Sequence, residues 1–364
     1  MRRLRTAVCG LGRIGWQFHL PELVKHADTF ELAGVMDPLH ERRQEAENAF
    51  RTKSYADLAQ LLASERPDLL VIASPTSWHA EQAILAMQHG CHVLCDKPMS
   101  ATLADADRMI AVMHASRRAL LIYQPQRCTA EVVALRATLQ QNLIGPIYMI
   151  KRSWTAYTRR NDWQALRRHG GGMLNNYGPH AMDLLLHLAG SSAARICCAT
   201  RTIASLGDAE DVVKAVIETR NGILLDLDIN MAVAHETEPW QILGTHGSIR
   251  MGDDAWCIRY VRPEHLAPLS LDTGTAAAAR QYGNGEKIPW IEDSVPFRDF
   301  AAIDFYARVY GQIALDNPPL VPIAESREVM RVLEACRACA WQGATRMSNP
   351  ASVTRNDEGS PDSS

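Results

Sequence analysis

Residues 4–15 read Leu4-Arg5-Thr6-Ala7-Val8-Cys9-Gly10-Leu11-Gly12-Arg13-Ile14-Gly15. The first six are a short strand-like run, and the last six fit G-x-G-x-x-G directly after it, at the point where a helical pattern opens. In that pattern Gly10 permits the tight turn, Gly12 lets backbone amides approach a pyrophosphate, and Gly15 lets helix and strand pack closely. The helix N-terminus adds the positive end of its dipole, and Arg13 and Ile14 lie inside the same turn. Asp37 ends the second strand-like run, 22 residues beyond Gly15, where a carboxylate accepts from the adenosine ribose hydroxyls. Without that context the six residues would be only a glycine-rich turn. Because Asp37 repels a 2′-phosphate, the reading is NAD, with NADP the lesser expectation. Arg42 and Arg43 lie just beyond it, either as solvated helix residues or as charges that soften the choice.

Working outward, residues 4–9, 31–36, 68–74, 91–95 and 119–123 read as strands. Residues 14–26, 41–48, 57–64, 79–89 and 102–115 read as helices between them, with Gly90 as the C-cap of the fourth. Strands alternating with helices imply parallel strands joined by right-handed crossovers, hence a doubly covered open sheet. After about residue 125 the pattern changes. Residues 147–154 form a strand, and Gly170-Gly171-Gly172 precedes a helix over 180–188 closed by Gly190. Residues 212–218 and 223–231 flank Asn221-Gly222, a strong hairpin signal. There Ile223, Leu225, Leu227, Ile229 and Met231 alternate with Asp226, Asp228 and Asn230, giving one dry and one wet face, so this half is antiparallel. Two helices are expected late, over 297–314 and 324–341. The fold class is therefore α/β, with a Rossmann domain over 1–125 and an α+β domain with a largely antiparallel open sheet over 126–345. Residues 348–364 have no apolar period and read as a disordered tail.

Composition narrows the function classes. At about 100–200 residues per domain, 364 residues make two domains the leading expectation. A net charge of −3 exerts no pull toward nucleic acid or an anionic membrane surface. No apolar run approaches the roughly 20 residues of a membrane span, and the basic start leads into a strand rather than a secretory apolar core. Nine cysteines, an odd number in a long chain, read as reduced thiols in a cytoplasm.

Two further stretches reach past the fold: Ala73-Ser74-Pro75-Thr76-Ser77-Trp78-His79 with Cys95-Asp96-Lys97-Pro98, and Gly170-Gly171-Gly172-Met173-Leu174-Asn175-Asn176-Tyr177-Gly178-Pro179-His180-Ala181-Met182-Asp183. With the fingerprint, they resemble the glucose–fructose oxidoreductase/inositol dehydrogenase/MocA family, in the family's order and over nearly the whole chain. The resemblance implies an NAD(P)-dependent oxidoreductase of sugars or polyols, forming a homodimer or homotetramer through the C-terminal sheet. Carried over by position, Lys97 matches the active-site lysine, usually followed by a cis peptide that would aim it into the cleft, and His180 matches the general base. Asn176 stands where many members have aspartate, and Asp96 where glutamate is commoner. A neutral amide at 176 cannot raise the histidine's basicity as a carboxylate would.

The chemistry of the residues agrees. Oxidising a secondary alcohol needs a hydride acceptor, a base for the hydroxyl proton and a positive group for the developing alkoxide. His180 suits the base and Lys97 the electrostatic role, at the C-terminal end of a strand where ligands sit in open α/β sheets. Asn176 is either a substrate or lysine contact, or a cap. Asp183, three residues after His180, either orients the imidazole or bonds structurally. Ser74, Pro75, Thr76 and His79 are expected to brush the cofactor, with His79 as a plain helix start the alternative. Tyr123 and Gln124 end the fifth strand, where a nicotinamide should lie, Gln124 toward the cofactor and Tyr123 toward the substrate.

Between Lys151 and Arg168, six basic residues face one acid, Asp162, with Trp154, Tyr157 and Trp163 interleaved. Aromatic faces with hydrogen-bonding side chains suit a sugar, so Trp154 and Trp163 are candidate substrate walls; a subunit-contact or solvent face is the alternative. Cys336-x-x-Cys339 falls on an apolar helical stripe with no second cysteine pair at zinc spacing, so no metal is expected. Besides the dehydrogenase, two readings stay open: a non-catalytic NAD-binding sensor, and an enzyme that retains NAD and uses transient oxidation for elimination, glycoside cleavage or epimerisation.

Overall fold

The computed structural model describes residues 2–271, 273–274 and 285–342. Six parallel strands form sheet A: β1 (Leu4–Cys9), β2 (Phe30–Met36), β3 (Ser54–Tyr55), β4 (Leu69–Ile72), β5 (His92–Cys95) and β6 (Leu120–Ile122), in the order β3-β2-β1-β4-β5-β6. The central strands are buried on both faces, which is why they read as nearly unbroken apolar runs. The covering helices are α1 (Leu20–Lys25), α2 (His40–Phe50), α3 (Leu58–Glu65), α4 (His79–Gln88) and α5 (Leu103–Ser116). Asp57 and Thr102 cap α3 and α5 by accepting from the Gln60 and Asp105 amides. The order reverses between β1 and β4, the switch point at which such sheets open a crevice.

One helix was expected over 14–26, but Gly15–His19 is a π-helical turn and α1 follows it. Pro21 has no N–H to close an α-turn on Gln17, so the winding changes just ahead of it. β3, only two residues long, is too short to show a period in the sequence.

After α6 (Ala130–Gln140), the second half is built on an eight-stranded sheet B. Its strands are β7 (Ile147–Thr155), β8 (Ala193–Arg201), β9 (Val212–Thr219), β10 (Leu224–Asn230), β11 (Trp240–Gly244), β12 (Gly247–Met251), β13 (Ala255–Tyr260) and β14 (Ile291–Pro296). Their order is β14-β13-β12-β11-β7-β10-β9-β8. The Asn221-Gly222 turn joins β9 to β10 as expected, with Leu225, Leu227 and Ile229 on the dry face and Asp226 paired to Lys214 on the wet one. The expected antiparallel pattern has one exception, because β10 pairs with β7 in parallel. Between β7 and β8 the chain crosses the sheet through α7 (Met173–Asn176) and α8 (Gly178–Ala189), and two hairpins then bring β10 back running the same way as β7. β8 and β11 to β14 carry no motif that marked them in the sequence.

The helix expected over 297–314 is shorter. Phe297–Asp299 is a 3-10 turn, and α9 (Phe305–Ala314) begins only after Asp304, whose side chain accepts from the Ala307 amide. α9 returns to sheet A, where Tyr306, Val309 and Tyr310 pack with Leu4, Val8 and Phe30. α10 (Ile323–Gln342) matches its expected span and packs against α5, α8 and β8. Cys336 is buried on its apolar stripe, as expected. The tail over 348–364 lies outside the described residues. No helix among the described residues is long and apolar enough to cross a membrane.

Candidate functional site

The turns at the C-terminal ends of β1, β2, β4, β5 and β6 lie along one edge of sheet A, and each carries residues singled out in the sequence. Gly10 has φ +97°, and a Cβ there would meet the Ser74 amide, so the first turn and the β4 loop press together. A Cβ on Gly15 would strike the Gly10 carbonyl, whereas one on Gly12 would project into open space. That is a cradle closed beneath and open above, the shape a pyrophosphate requires. Asp37 is buried; its carboxylate accepts from the Leu11 amide at 2.8 Å and the Leu39 amide at 3.0 Å, so it also holds the glycine turn in place. Arg42 reaches Asp37 at 3.4 Å, and Arg43 donates to the Asp37 and Pro38 carbonyls at 2.9 and 3.0 Å. Neither arginine is simply solvated. Arg13 is exposed and Ile14 half-buried beside this cradle.

His79 is buried at the start of α4, with its ring nitrogens each 2.9 Å from a carbonyl oxygen, those of Pro98 and Ser74. It ties the β4 loop to the β5 loop, and burial lowers its pKa. The Ser74 hydroxyl donates to Gln82 at 2.6 Å, while Pro75 and Thr76 continue the loop into a 3-10 turn. The Lys97–Pro98 peptide is cis. Lys97 donates from Nζ to the backbone carbonyl of Asn176 at 2.6 Å, and its own amide donates to Asp96 at 2.8 Å. Burial lowers the Lys97 pKa and Asp96 opposes the shift. The lysine contact expected of Asn176 is therefore present, but through the main chain.

The glycine triplet shapes the approach to α7. Gly172 has φ +103°, and the Glu210 carboxylate occupies the space a Cβ would take, while accepting from the Leu174 amide at 3.2 Å. Glu210 had no signal in the sequence. α8 then begins at Gly178 and carries His180 in its first turn.

The His180 imidazole is oriented by Gln124, with Nδ1 3.1 Å from Oε1. The Gln124 amide nitrogen donates to the Pro179 carbonyl at 3.3 Å. A carbonyl only accepts, so the NH2 group must face Pro179 and the amide oxygen must face His180. Nδ1 of a neutral His180 therefore carries the proton, and Nε2 holds a free lone pair. Burial, and then the Lys97 charge, hold the His180 pKa well below its usual range.

The alternative orienting group, Asp183, is engaged elsewhere. Its oxygens accept from Arg127 at 2.7 and 2.6 Å, and Arg127 also pairs with Glu325 at 2.7 Å. His187 completes the group, 3.1 Å from Arg127 and 3.2 Å from Glu325. This network, with Arg127 and Asp183 buried at its centre, anchors α8 to the segment after β6 and to α10. Arg127 and Glu325 were missed in the sequence, since no local spacing links them.

Of the aromatic candidates, Trp154 packs its ring 4.3 Å from that of Tyr177, next to Asn176. Trp163 is half-exposed in a 3-10 turn and makes no ring contact among the described residues. Tyr123 packs between His19 at 4.7 Å and Phe305 at 4.9 Å, and burial pushes its hydroxyl up to about 12. Its surroundings are those of the aromatic core beneath α9. Glu22, His26 and Asp304 cluster elsewhere, and the ring nitrogens of His26 already meet the Glu22 carbonyl and Asp304 at 2.8 Å.

Residues 4–124 match the oxidoreductase family described by its NAD-binding Rossmann fold, and residues 132–250 match the GFO/IDH/MocA C-terminal domain. An uncharacterized oxidoreductase of Schizosaccharomyces pombe is 27% identical over 199 residues, or 52% of this chain. The matched stretch spans about half of that relative, 53%. The D-glucoside 3-dehydrogenase of Escherichia coli K12 is 25% identical over 255 residues, 63% of this chain and 71% of that enzyme. The crystal structure of the WlbA dehydrogenase from Bordetella pertussis, in complex with NADH and UDP-GlcNAcA, has a TM-score of 0.75 at 25% identity, covering 94% of this chain and 98% of that one.

Proposed function

This chain belongs to the GFO/IDH/MocA family of NAD-binding oxidoreductases, and we propose that it oxidises a secondary hydroxyl of a cyclic sugar, glycoside or polyol, reversibly, to the ketone. The observation that carries the reading is that the Lys97 charge acts on a buried His180 whose Nδ1 is held by Gln124, which leaves the histidine neutral and its Nε2 without a hydrogen-bond partner among the described residues. The cradle at Gly10, Gly12 and Gly15 fits a dinucleotide, with Asp37 at the ribose and Ser74, Pro75 and Thr76 along the loop. Bound NAD supplies the hydride acceptor.

The chain's own residues handle the proton and the charge. Nε2 of His180 accepts the hydroxyl proton, and the ammonium of Lys97 steadies the negative charge that develops on the oxygen. The Asn176 carbonyl takes one of the three Lys97 N–H bonds, which leaves two for the substrate. Trp154 and Tyr177 offer ring faces to the CH face of a sugar. The sugar class is supported by the D-glucoside 3-dehydrogenase among the relatives. Assembly as a homodimer or homotetramer would use the outer face of sheet B, where Val216 is 43% exposed despite its apolar character.

The test is nicotinamide reduction by the purified protein with NAD⁺ and NADP⁺ separately, over inositols, aldoses, amino sugars and glycosides. Reduction with one substrate group and a preference for NAD⁺ is the expected result. NAD binding with silence across the panel would overturn the dehydrogenase.

A further inference from the structure

Arg152 is a cation on the inner face of sheet B that has no carboxylate partner among the described residues. It lies on β7, the fifth of eight strands, at the same parity as the buried Ile150 and as Trp154. Lys151 points the opposite way, beside Asp226 and Gln241 in the neighbouring strands. The basic stretch thus divides, with Lys151 on the outer face and Arg152 on the inner.

The guanidinium lies over two indoles. Its carbon is 4.8 Å from the Trp154 ring centre and 4.8 Å from that of Trp240, the residue in register with it on β11. One nitrogen, Nη1, donates to the Ser153 carbonyl at 2.9 Å and the Pro239 carbonyl at 3.1 Å, so the side chain leans toward the exit end of β7. No ion pair or further hydrogen bond engages Nε or Nη2 among the described residues. Two tryptophan faces and two carbonyls orient the fork without neutralising it. Burial with no opposing acid lowers its pKa to about 10, which still leaves it charged at neutral pH.

Arg152 is half-buried rather than sealed. Its neighbour Trp154 packs against Tyr177, and Tyr177 adjoins Asn176, whose carbonyl holds Lys97. We propose that Arg152, clamped by Trp154 and Trp240, binds an anionic oxygen group on the substrate, a carboxylate or a phosphoryl, remote from the hydroxyl that is oxidised. A planar fork with two open N–H positions matches either group in a bidentate fashion. The inference rests on the dehydrogenase reading for what the substrate is, but not for whether an anion binds.

The experiment compares matched neutral and anionic sugars: glucose with glucuronate, glucose with glucose 6-phosphate, and N-acetylglucosamine with its UDP ester. Dissociation constants are measured by calorimetry with NADH present, so that the hydroxyl cannot be oxidised. The expected result is at least tenfold tighter binding of one anionic member than of its neutral partner. The uronate and phosphoryl arms tell which group is read. In Arg152→Gln the ratio should fall to within about twofold of one, and in Arg152→Lys to a value between. A ratio near one in all wild-type pairs overturns the proposal, as does a ratio unchanged in a folded Arg152→Gln protein. The wild-type arm and its salt dependence decide the matter if the glutamine variant does not fold. Tight anion binding without turnover of any sugar would overturn the dehydrogenase and uphold the anion site; turnover with a ratio of one would do the reverse.

Discussion

The role assigned to Gln124 is the most exposed to test, because it rests on two hydrogen bonds with opposite requirements. Gln124→Leu removes the acceptor for Nδ1–H of His180 and the donor to the Pro179 carbonyl together. One neutral hydrogen bond contributes about 0.5–1.5 kcal/mol, so the tautomer with its lone pair on Nε2 should lose about two- to twelvefold in relative population. Turnover should fall by a similar factor, with little change in NAD affinity. Gln124→Glu tests the charge. A carboxylate facing Nδ1 stabilises the imidazolium, so the His180 pKa should rise from its depressed position. The base works only when deprotonated, so kcat/KM falls as pH drops through that pKa. The acid limb of the wild-type profile should therefore lie well below 6.5, the ordinary histidine value, and should move up in Gln124→Glu. The assay is kcat/KM against pH for the three proteins on one substrate. A wild-type limb at 6.5, or superimposable limbs in wild type and Gln124→Glu, would refute the reasoning.

Other outcomes follow from the same geometry. His180→Ala and Lys97→Ala should each remove most turnover, with about 10²–10⁴-fold expected for the base, while NAD binding measured by fluorescence persists; normal kcat in both would sink the assignment. Because burial lowers the Lys97 pKa, activity should decline at high pH along a limb below 10.5, and a profile flat to that point would remove the lysine from the charge-bearing role. Asp37→Ser should narrow the NAD⁺/NADP⁺ preference, since it removes the charge that repels a 2′-phosphate, and it should also lower the melting temperature by releasing the Leu11 and Leu39 amides; an unchanged cofactor ratio would mean that the ribose is read elsewhere. His19 is fully buried with its pKa lowered to about 4 from 6.5, so the unfolded chain binds more protons in that window and stability must fall as pH drops from 6.5 toward 4. Thermal melts that stay level across that interval would contradict it.

Much of the Rossmann half was legible because its signals are local. The strand, the G-x-G-x-x-G turn and Asp37 lie within one βαβ unit, and each does what its backbone position demands. The hairpin at Asn221-Gly222 and the two faces of β10 were readable for the same reason. The starts and ends of elements were less so. Pro21 and Asp304 re-cut two expected helices, since a single missing donor or a single cap outweighs a continuous apolar period. The edges of sheet B carried no period that separates a strand from a loop, and the parallel placement of β10 depends on the whole crossover through α8.

By itself, the sequence determined the nucleotide-binding turn, the covered parallel sheet, and the candidacy of Lys97 and His180, since each follows from residues adjacent in the chain or from a short motif. Only the tertiary structure decided how those side chains are held. The Lys97–Asn176 bond joins residues 79 apart, and the His180–Gln124 bond joins residues 56 apart. Folding also turned Asp183 from a possible partner of His180 into an anchor for Arg127, and placed Tyr123 in an aromatic core. It set Lys151 and Arg152 on opposite faces of one strand, one beside Asp226 and Gln241 and one against two indoles. Periodicity says which residues share a face, but a hydrogen bond or an ion pair depends on which faces meet, and that is a property of the packed chain.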